Sequence, residues 1–365
     1  MLDARLRKNL DIPLLLLTLM VVVVGIITLY SASKDNPAKF YQKQIVWFVM
    51  GLICLVAVAT WDYSRYPRLV RLLYSINIGM LIVVMRFGSA AKGATRWISI
   101  GSFQVQPSEF AKIIMIICLA VYLTDRREDI GKIPVLLGSF LYTALPTFLI
   151  FKQPDLGTSL VLMTIWFGMA FIAGAKIKHL SLFFLCGVSL FTIMWKADVL
   201  KDYQKKRMVV FLNPEVDPKE TGYHVIQSRI AIGSGQLWGK GLGHGTQAHG
   251  QFIPENHTDF IFTIVGEEGG FVISVIVVLM YGGLLIRGCL IMGQAEDLLG
   301  RLLAAGVVSM YSFHIIVNIG MTVGIMPVTG VPLPLFSYGG SSMLLNMASI
   351  GMLLGVGMRK HSLVF

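Results

Sequence analysis

The sequence predicts an all-α polytopic membrane protein with about ten transmembrane helices, one large extracytoplasmic loop and both termini in the cytoplasm. Three observations carry that expectation. Of the 365 residues, 55% are hydrophobic and only 14% are charged, against about 25% charged in ordinary soluble domains. The mean hydropathy is +0.71. Apolar runs of about 20 residues, the length that crosses a bilayer core, recur from one end of the chain to the other. A chain this long could form two or three soluble domains, but the composition argues for a single integral membrane domain over 1–365.

The spans are expected near 12–32, 44–61, 69–86, 109–124, 134–151, 156–174, 179–196, 260–286, 302–323 and 339–358. The first follows Arg5, Arg7 and Lys8, and Ser31-Ala32-Ser33 loosely imitates a signal-peptidase site. A run of this length, followed by many similar ones, reads as a retained first span. Lys and Arg set the orientation. Fifteen of them fall at the termini and on alternate connections, including Arg65, Arg68, Arg71, Arg126, Arg127, Lys132, Lys176, Lys178, Arg287, Arg301, Arg359 and Lys360. The opposite short connections carry seven: Lys34, Lys39, Lys43, Arg86, Lys92, Arg96 and Lys152. The bias places both termini in the cytoplasm. It also accounts for much of the net charge of +11, so no nucleic acid is implied. Cys54, Cys118, Cys186 and Cys289 lie singly in apolar runs, with neither a disulfide framework nor a zinc pattern.

Residues 197–259 form the one long polar stretch, with Pro214, Pro218, eight glycines and five aromatics. Loops of this length are uncommon unless functional, and the topology puts it outside the cytoplasm. Within it, residues 223–232 space their apolar side chains as a helix does, predicting an amphipathic helix on a membrane or protein surface.

Ionisable residues at the mouths of spans are costly in lipid and point to function. Gln106-Pro107-Ser108-Glu109-Phe110-Ala111-Lys112 opens the fourth span. Pro107 suits the first helical turn, and a spacing of three places Glu109 and Lys112 on one face, as a structural ion pair, a site pair or both. Asp155 opens the sixth span, either as a helix-start carboxylate favoured by the dipole or as a site residue. Asp259, in Pro254-Glu255-Asn256-His257-Thr258-Asp259-Phe260, sits where the long loop enters the eighth span. It is an N-cap or a partly desolvated general base. Glu267 and Glu268, about 12 Å deeper along a straight helix, are expected to be protonated or paired inside the bundle. The run from Pro332 to Ser342 places Ser337, Gly339 and Gly340 at a helix start, as an anion site or a tight turn with capping serines. His314 and Asn318 share a helix face and suit interhelical hydrogen bonds better than a metal site. Residue types and spacing thus yield an outward site of carboxylates (Glu109, Asp155, Asp259) and cations (Arg96, Lys112), suited to an anionic lipid-linked substrate. They do not separate a transferase from a transporter.

At these motifs the chain resembles the SEDS family of bacterial cell-wall proteins, closest to its RodA-type elongation branch. The carrying segments are Lys92-Gly93-Ala94-Thr95-Arg96-Trp97, the run ending at Glu109, Gln153 to Ser159, Gly222 to Ser228, the run around Asp259, and Gly330 through Gly340. They occur in family order across nearly the whole chain. Division-type FtsW members share most of them, whereas Gly245-Thr246-Gln247, Leu156 after Asp155 and a short N-terminal segment favour the elongation branch.

The resemblance implies a multi-pass protein of the bacterial cytoplasmic membrane, a peptidoglycan glycosyltransferase that polymerises lipid II during elongation. By it, Asp259 corresponds to the family's catalytic aspartate and Glu109 with Lys112 to its important charged pair. Arg96 and Asp155 fall in motifs lining the same outer cavity, where Arg96 and Lys112 would stabilise charge on a pyrophosphate. The partners implied are lipid II, membrane lipids and a class B penicillin-binding protein. No tightly bound cofactor is expected; a divalent cation, Mg or Mn, would ride on the substrate. The alternatives are a lipid II flippase, a division-type polymerase and a non-catalytic scaffold.

Overall fold

The computed structural model describes residues 9–33, 39–91, 94–100, 103–198, 202–217, 221–249 and 256–359. Arg5, Arg7, Lys8, Lys34, Lys92, Gly93, Pro218, Pro254, Glu255 and Lys360 of the expectations above lie outside them. Among the described residues, nine helices are long and apolar enough to cross a bilayer, and Leu156–Ile172 is a shorter apolar tenth. In chain order the first spans are α1 Ile12–Ala32, α2 Phe40–Thr60, α3 Tyr66–Phe87, α4 Pro107–Asp125, α5 Ile133–Lys152, α6 Leu156–Ile172 and α7 Ile177–Lys196. The long loop contributes α8 Asp202–Leu212, α9 Thr221–Ser234 and the single turn α10 Thr246–His249. The chain closes with α11 Ile261–Gln294, α12 Leu298–Val323 and α13 Gly340–Met358.

The helices alternate in direction, and hydrogen bonds lock each end. At one end Asn9 Nδ2 donates to Met358 O, Arg287 Nε to Asp11 Oδ1 at 3.2 Å, and Tyr63 Oη to Asp297 Oδ1 at 2.9 Å. Asp11 and Asp297 are also the N-caps of α1 and α12, accepting from Leu14 N and Gly300 N. One carboxylate therefore both starts a helix and ties it to a neighbour. The described chain begins and finishes at this same end.

The core runs through α4, α12 and α13, whose residues are mostly buried. The apolar side chains of α2, α3, α5 and α7 instead face outward, as lipid contact requires. Among the described residues of α7 only Leu180 is buried. Where α2 crosses α13, Gly351 lets the backbones touch: a Cβ there would lie 2.5 Å from Leu55 O. Without a hydrophobic drive between helices in lipid, such close packing is what associates them.

Between α3 and α4 the chain folds into a small antiparallel sheet that no span expectation covered: β1 Ser89–Ala91, β2 Ala94–Ile100 and β3 Phe103–Val105. The register pairs Ser89 with Trp97 and Ile98 with Val105. This sheet carries Arg96 at the end of the bundle opposite the termini.

Of two further features, one meets expectation and the other departs from it. The predicted loop helix is present as α9, and it packs on α11 and α12. The eighth span, expected as one helix over 260–286, is broken at Gly270 (φ 64°, ψ −163°). The backbone groups released by the break are satisfied by the long loop. Lys240 N and Gly241 N donate to Glu267 O and Glu268 O, and Phe271 N and Val272 N donate to Gln236 O and Leu237 O. Irregular backbone in a membrane protein persists where protein partners replace the lost helical bonds. Glu267 and Glu268 therefore do not meet the bundle interior alone. Glu267 takes Lys240 Nζ at 2.7 Å, Thr246 Oγ1 and Gln247 N, while Glu268 takes Ser31 Oγ at 2.6 Å.

Candidate functional site

At the end opposite the termini, the starts of α4, α6, α11 and α13 surround a cavity of about 310 Å³. Arg96, Glu109, Asp155, Asp259, Gly339 and Gly340 all line it. Residues separated by up to 244 positions in sequence thus meet in one chamber.

Pro107 starts α4, its ring tolerated where no N–H is needed. One turn on, Glu109 Oε1 accepts from Lys112 Nζ at 2.7 Å, and both side chains are buried. Lys112 does not line the cavity. Its Nζ lies beneath the wall, 3.3 Å from His314 Nε2. His314 Nδ1 is 3.0 Å from Pro332 O, so Nδ1 carries the proton and Nε2 accepts from the ammonium. Lys112 therefore acts on the cavity through Glu109, whose Oε2 has no hydrogen-bond partner in the protein.

Asp155 is the N-cap of α6, accepting from Thr158 N at 3.2 Å and Thr158 Oγ1 at 3.0 Å. It also receives Gln106 Nε2 at 3.2 Å and Ser108 Oγ at 3.4 Å, which joins the starts of α4 and α6. Asp155 is thus the helix-start carboxylate, and it also lines the cavity. Arg96 is anchored on the same corner: Nε donates to Gln153 O at 2.9 Å, Nη2 donates to Pro154 O, and Nη1 lies 3.9 Å from Asp155 Oδ1.

Asp259 differs. The helix after it is capped by Phe260 without any side-chain bond, so the Asp259 carboxylate is not the N-cap. Its backbone is bolted in place instead. Asn318 Nδ2 donates to Asp259 O at 2.9 Å and to Val331 O at 2.8 Å. Ser337 Oγ donates to Thr258 O, Tyr338 N donates to His257 O, and the His257 ring stacks on Phe40 with centroids 4.1 Å apart. Gly330 (φ 73°) brings the last loop past the carboxylate; a Cβ there would sit 3.4 Å from Asp259 Oδ2.

The remaining expected residues divide. Ser337 also accepts from Leu333 N and is buried outside the cavity lining, which makes it a turn clamp. Gly339 N donates to Gln44 Oε1, and Gly340 packs so closely on Trp47 that a Cβ would meet Cε2 at 2.2 Å. His314 makes the interhelical contact expected of it, with Lys112, whereas Asn318 bonds the backbone carbonyls of Asp259 and Val331, outside the helices. Sequence reasoning missed Arg207, Thr329, Thr158, Gln106 and Tyr338, which line the same cavity. Burial pushes the Tyr338 hydroxyl above its usual pKa, so it stays protonated and able to donate. Arg207 belongs to the charged run Lys205-Lys206-Arg207. In the structure α8 turns it inward, and Nη1 donates to Thr329 O at 3.2 Å. Among the described residues no three His, Cys, Asp or Glu side chains gather as a metal cage.

The sequence profile of the FtsW, RodA and SpoVE family, described as cell cycle proteins, matches residues 9–362. The chain is 37% identical to the peptidoglycan glycosyltransferase RodA of Treponema pallidum, over 97% of this chain and 98% of that one. Similarity to the peptidoglycan glycosyltransferase MrdB of Escherichia coli K12 is also 37%, over 96% and 94%. Among solved structures, a chain of a peptidoglycan synthase complex that coordinates polymerization and crosslinking superposes with a TM-score of 0.83, at 33% identity over 97% of this chain and 99% of that one.

Proposed function

Since this chain belongs to the FtsW, RodA and SpoVE family of cell cycle proteins, we propose that its cavity polymerises lipid II into peptidoglycan glycan strands. It does so as an elongation-type, multi-pass glycosyltransferase of the bacterial cytoplasmic membrane. The observation that carries this reading is the convergence of Asp259, Glu109, Asp155 and two arginines in one cavity at one end of the bundle. The long loop, 197–259, lies outside the cytoplasm and forms part of the single membrane domain that spans 1–365.

Asp259 is the general base. Its carboxylate takes the proton from the acceptor's GlcNAc 4-hydroxyl as that oxygen attacks the anomeric carbon of the donor MurNAc. The bond from that carbon to the pyrophosphate oxygen breaks, undecaprenyl pyrophosphate leaves, and the α-linked donor becomes a β-linked product. Cationic side chains of the cavity stabilise the charge growing on the leaving group. Glu109 and Asp155 hold the walls, Lys112 compensating the first and Arg96 the second. Gly339 and Gly340 line the cavity at the start of α13. A divalent cation, where one takes part, comes with the substrate's pyrophosphate and neutralises part of its charge. The partner expected to crosslink the strands is a class B penicillin-binding protein.

Purified protein with labelled lipid II, alone and with the cognate transpeptidase, tests the assignment. Polymer is expected from the wild type and none from Asp259→Asn, with the variant's melting temperature unchanged. Transbilayer movement of lipid II without polymer, even with the partner present, would replace this reading with a flippase.

A further inference from the structure

Three arginines crowd the start of α3, at the end of the bundle where the described chain begins and finishes. Arg65 immediately precedes the helix, and Arg68 and Arg71 follow at steps of three, so the guanidiniums climb about 9 Å along it. All three are exposed. Arg65 lies over the Trp61 ring, 5.8 Å from its centroid. Asp62, the acid nearest in sequence, accepts from Ser64 N. Among the described residues, Arg68 and Arg71 make no side-chain hydrogen bond or ion pair. Like charges at this spacing repel, and cations oppose the positive end of the helix dipole.

The excess of Lys and Arg on cytoplasmic connections accounts for cations between spans, but not for these two. Arg68 and Arg71 lie in the first and second turns of α3 itself. The face they share continues as a strip for lipid: Leu72 and Ile76, four and eight residues after Arg68, are 59% and 43% exposed. α3 packs chiefly on α4 and α5, and this side stays uncovered. Trp61, 45% exposed, marks the interfacial level. The guanidiniums therefore stand at headgroup depth, beside a strip that acyl chains cover.

We propose that Arg65, Arg68 and Arg71 seat an anionic phospholipid of the cytoplasmic leaflet, its phosphate on the guanidinium forks and an acyl chain along Leu72 and Ile76. Arginine suits this role because its planar donors match phosphate oxygens in pairs, and a basic surface beside a span draws anionic headgroups. The bound lipid supplies an anion to a helix start crowded with cations. It also steadies α3, whose far end leads into the sheet that carries Arg96. The seat is independent of the reaction in the outer cavity, which lies at the other end of the bundle.

Native mass spectrometry of the full-length protein in detergent, offered phosphatidylglycerol and phosphatidylcholine at equal concentrations, tests the seat. The wild type should retain phosphatidylglycerol in preference, and this lipid should raise its melting temperature more than phosphatidylcholine does. Arg68→Gln with Arg71→Gln should weaken phosphatidylglycerol retention about tenfold or more, since each arginine near an anionic surface contributes about fivefold. The difference in melting temperature should vanish with it. Without lipid, this double variant should melt no lower than the wild type, because the removed charges repelled each other. Arg68→Lys with Arg71→Lys keeps the charge but not the forks and should retain only part of the preference; it carries the test if the glutamine variant does not fold. Lys176→Gln with Lys178→Gln removes two exposed cations from the start of α7 and should leave the preference intact. A wild type that does not discriminate, wild-type discrimination in folded Arg68→Gln with Arg71→Gln, or an equal loss in Lys176→Gln with Lys178→Gln overturns the seat.

Discussion

Asp155 and Asp259 are the same residue type at the starts of two helices, and their surroundings separate their roles. Asp155 spends its oxygens on Thr158, Gln106 and Ser108, and on the nearby Arg96 guanidinium. Asp259 has its backbone fixed by Asn318 while the helix start after it uses no side-chain cap. Asp155→Asn keeps a capping side chain, so the fold should persist while the Arg96 corner loosens. Polymer yield in the lipid II assay should fall in part, against complete loss in Asp259→Asn. The Glu109–Lys112 pair makes a sharper prediction. Removing one partner of a buried ion pair leaves an uncompensated charge and costs about 3–5 kcal/mol. Lys112→Met should therefore lower the melting temperature in detergent markedly, and adding Glu109→Gln should recover part of that loss. If Lys112 touched substrate instead, Lys112→Met would cost activity at unchanged stability. The pair itself was legible from its spacing of three on a helix start. Arg207 and Thr329 were not, because a cation in a charged run and a threonine in a loop carry no periodic signal.

At the scale of elements, the broken span shows how a loop becomes part of a membrane bundle. Gly270 adopts a left-handed φ, and a Cβ there would lie 2.3 Å from Gly239 N. Gly270→Ala combines backbone strain of about 1–3 kcal/mol with that clash. It should lower the melting temperature and increase hydrogen exchange at Lys240 and Gly241, the amides that seal the break. An unchanged exchange pattern would mean that the loop does not depend on the break. The apolar periodicity of 260–286 gave no hint of it, since Gly269-Gly270 within an apolar run is equally compatible with a continuous helix. Similarly, β1 to β3 are short strands between two strong span signals, and short strands have little periodicity to detect.

For the whole molecule, the charge bias of the connections predicts that residues 197–259 face away from the cytoplasm. Cys54, Cys118, Cys186 and Cys289 all lie within helices that span the membrane. In a background where they are replaced by alanine, a membrane-impermeant maleimide should label Glu215→Cys from outside intact spheroplasts. Glu128→Cys should react only after permeabilisation, and the reverse pattern would invert the topology. Hydrophobic run length and Lys/Arg placement are local or additive properties of a chain, so the spans and their expected orientation could be read directly from residue order. Helix-start chemistry is also local, which is why Glu109, Asp155 and Asp259 stood out. Convergence is not local. Only the packing of α4, α6, α11 and α13 brings those carboxylates into one cavity, turns Lys112 beneath its wall, and folds α8 back so that Arg207 meets Thr329. These contacts join segments over a hundred residues apart, and their energies depend on distances that no single segment encodes.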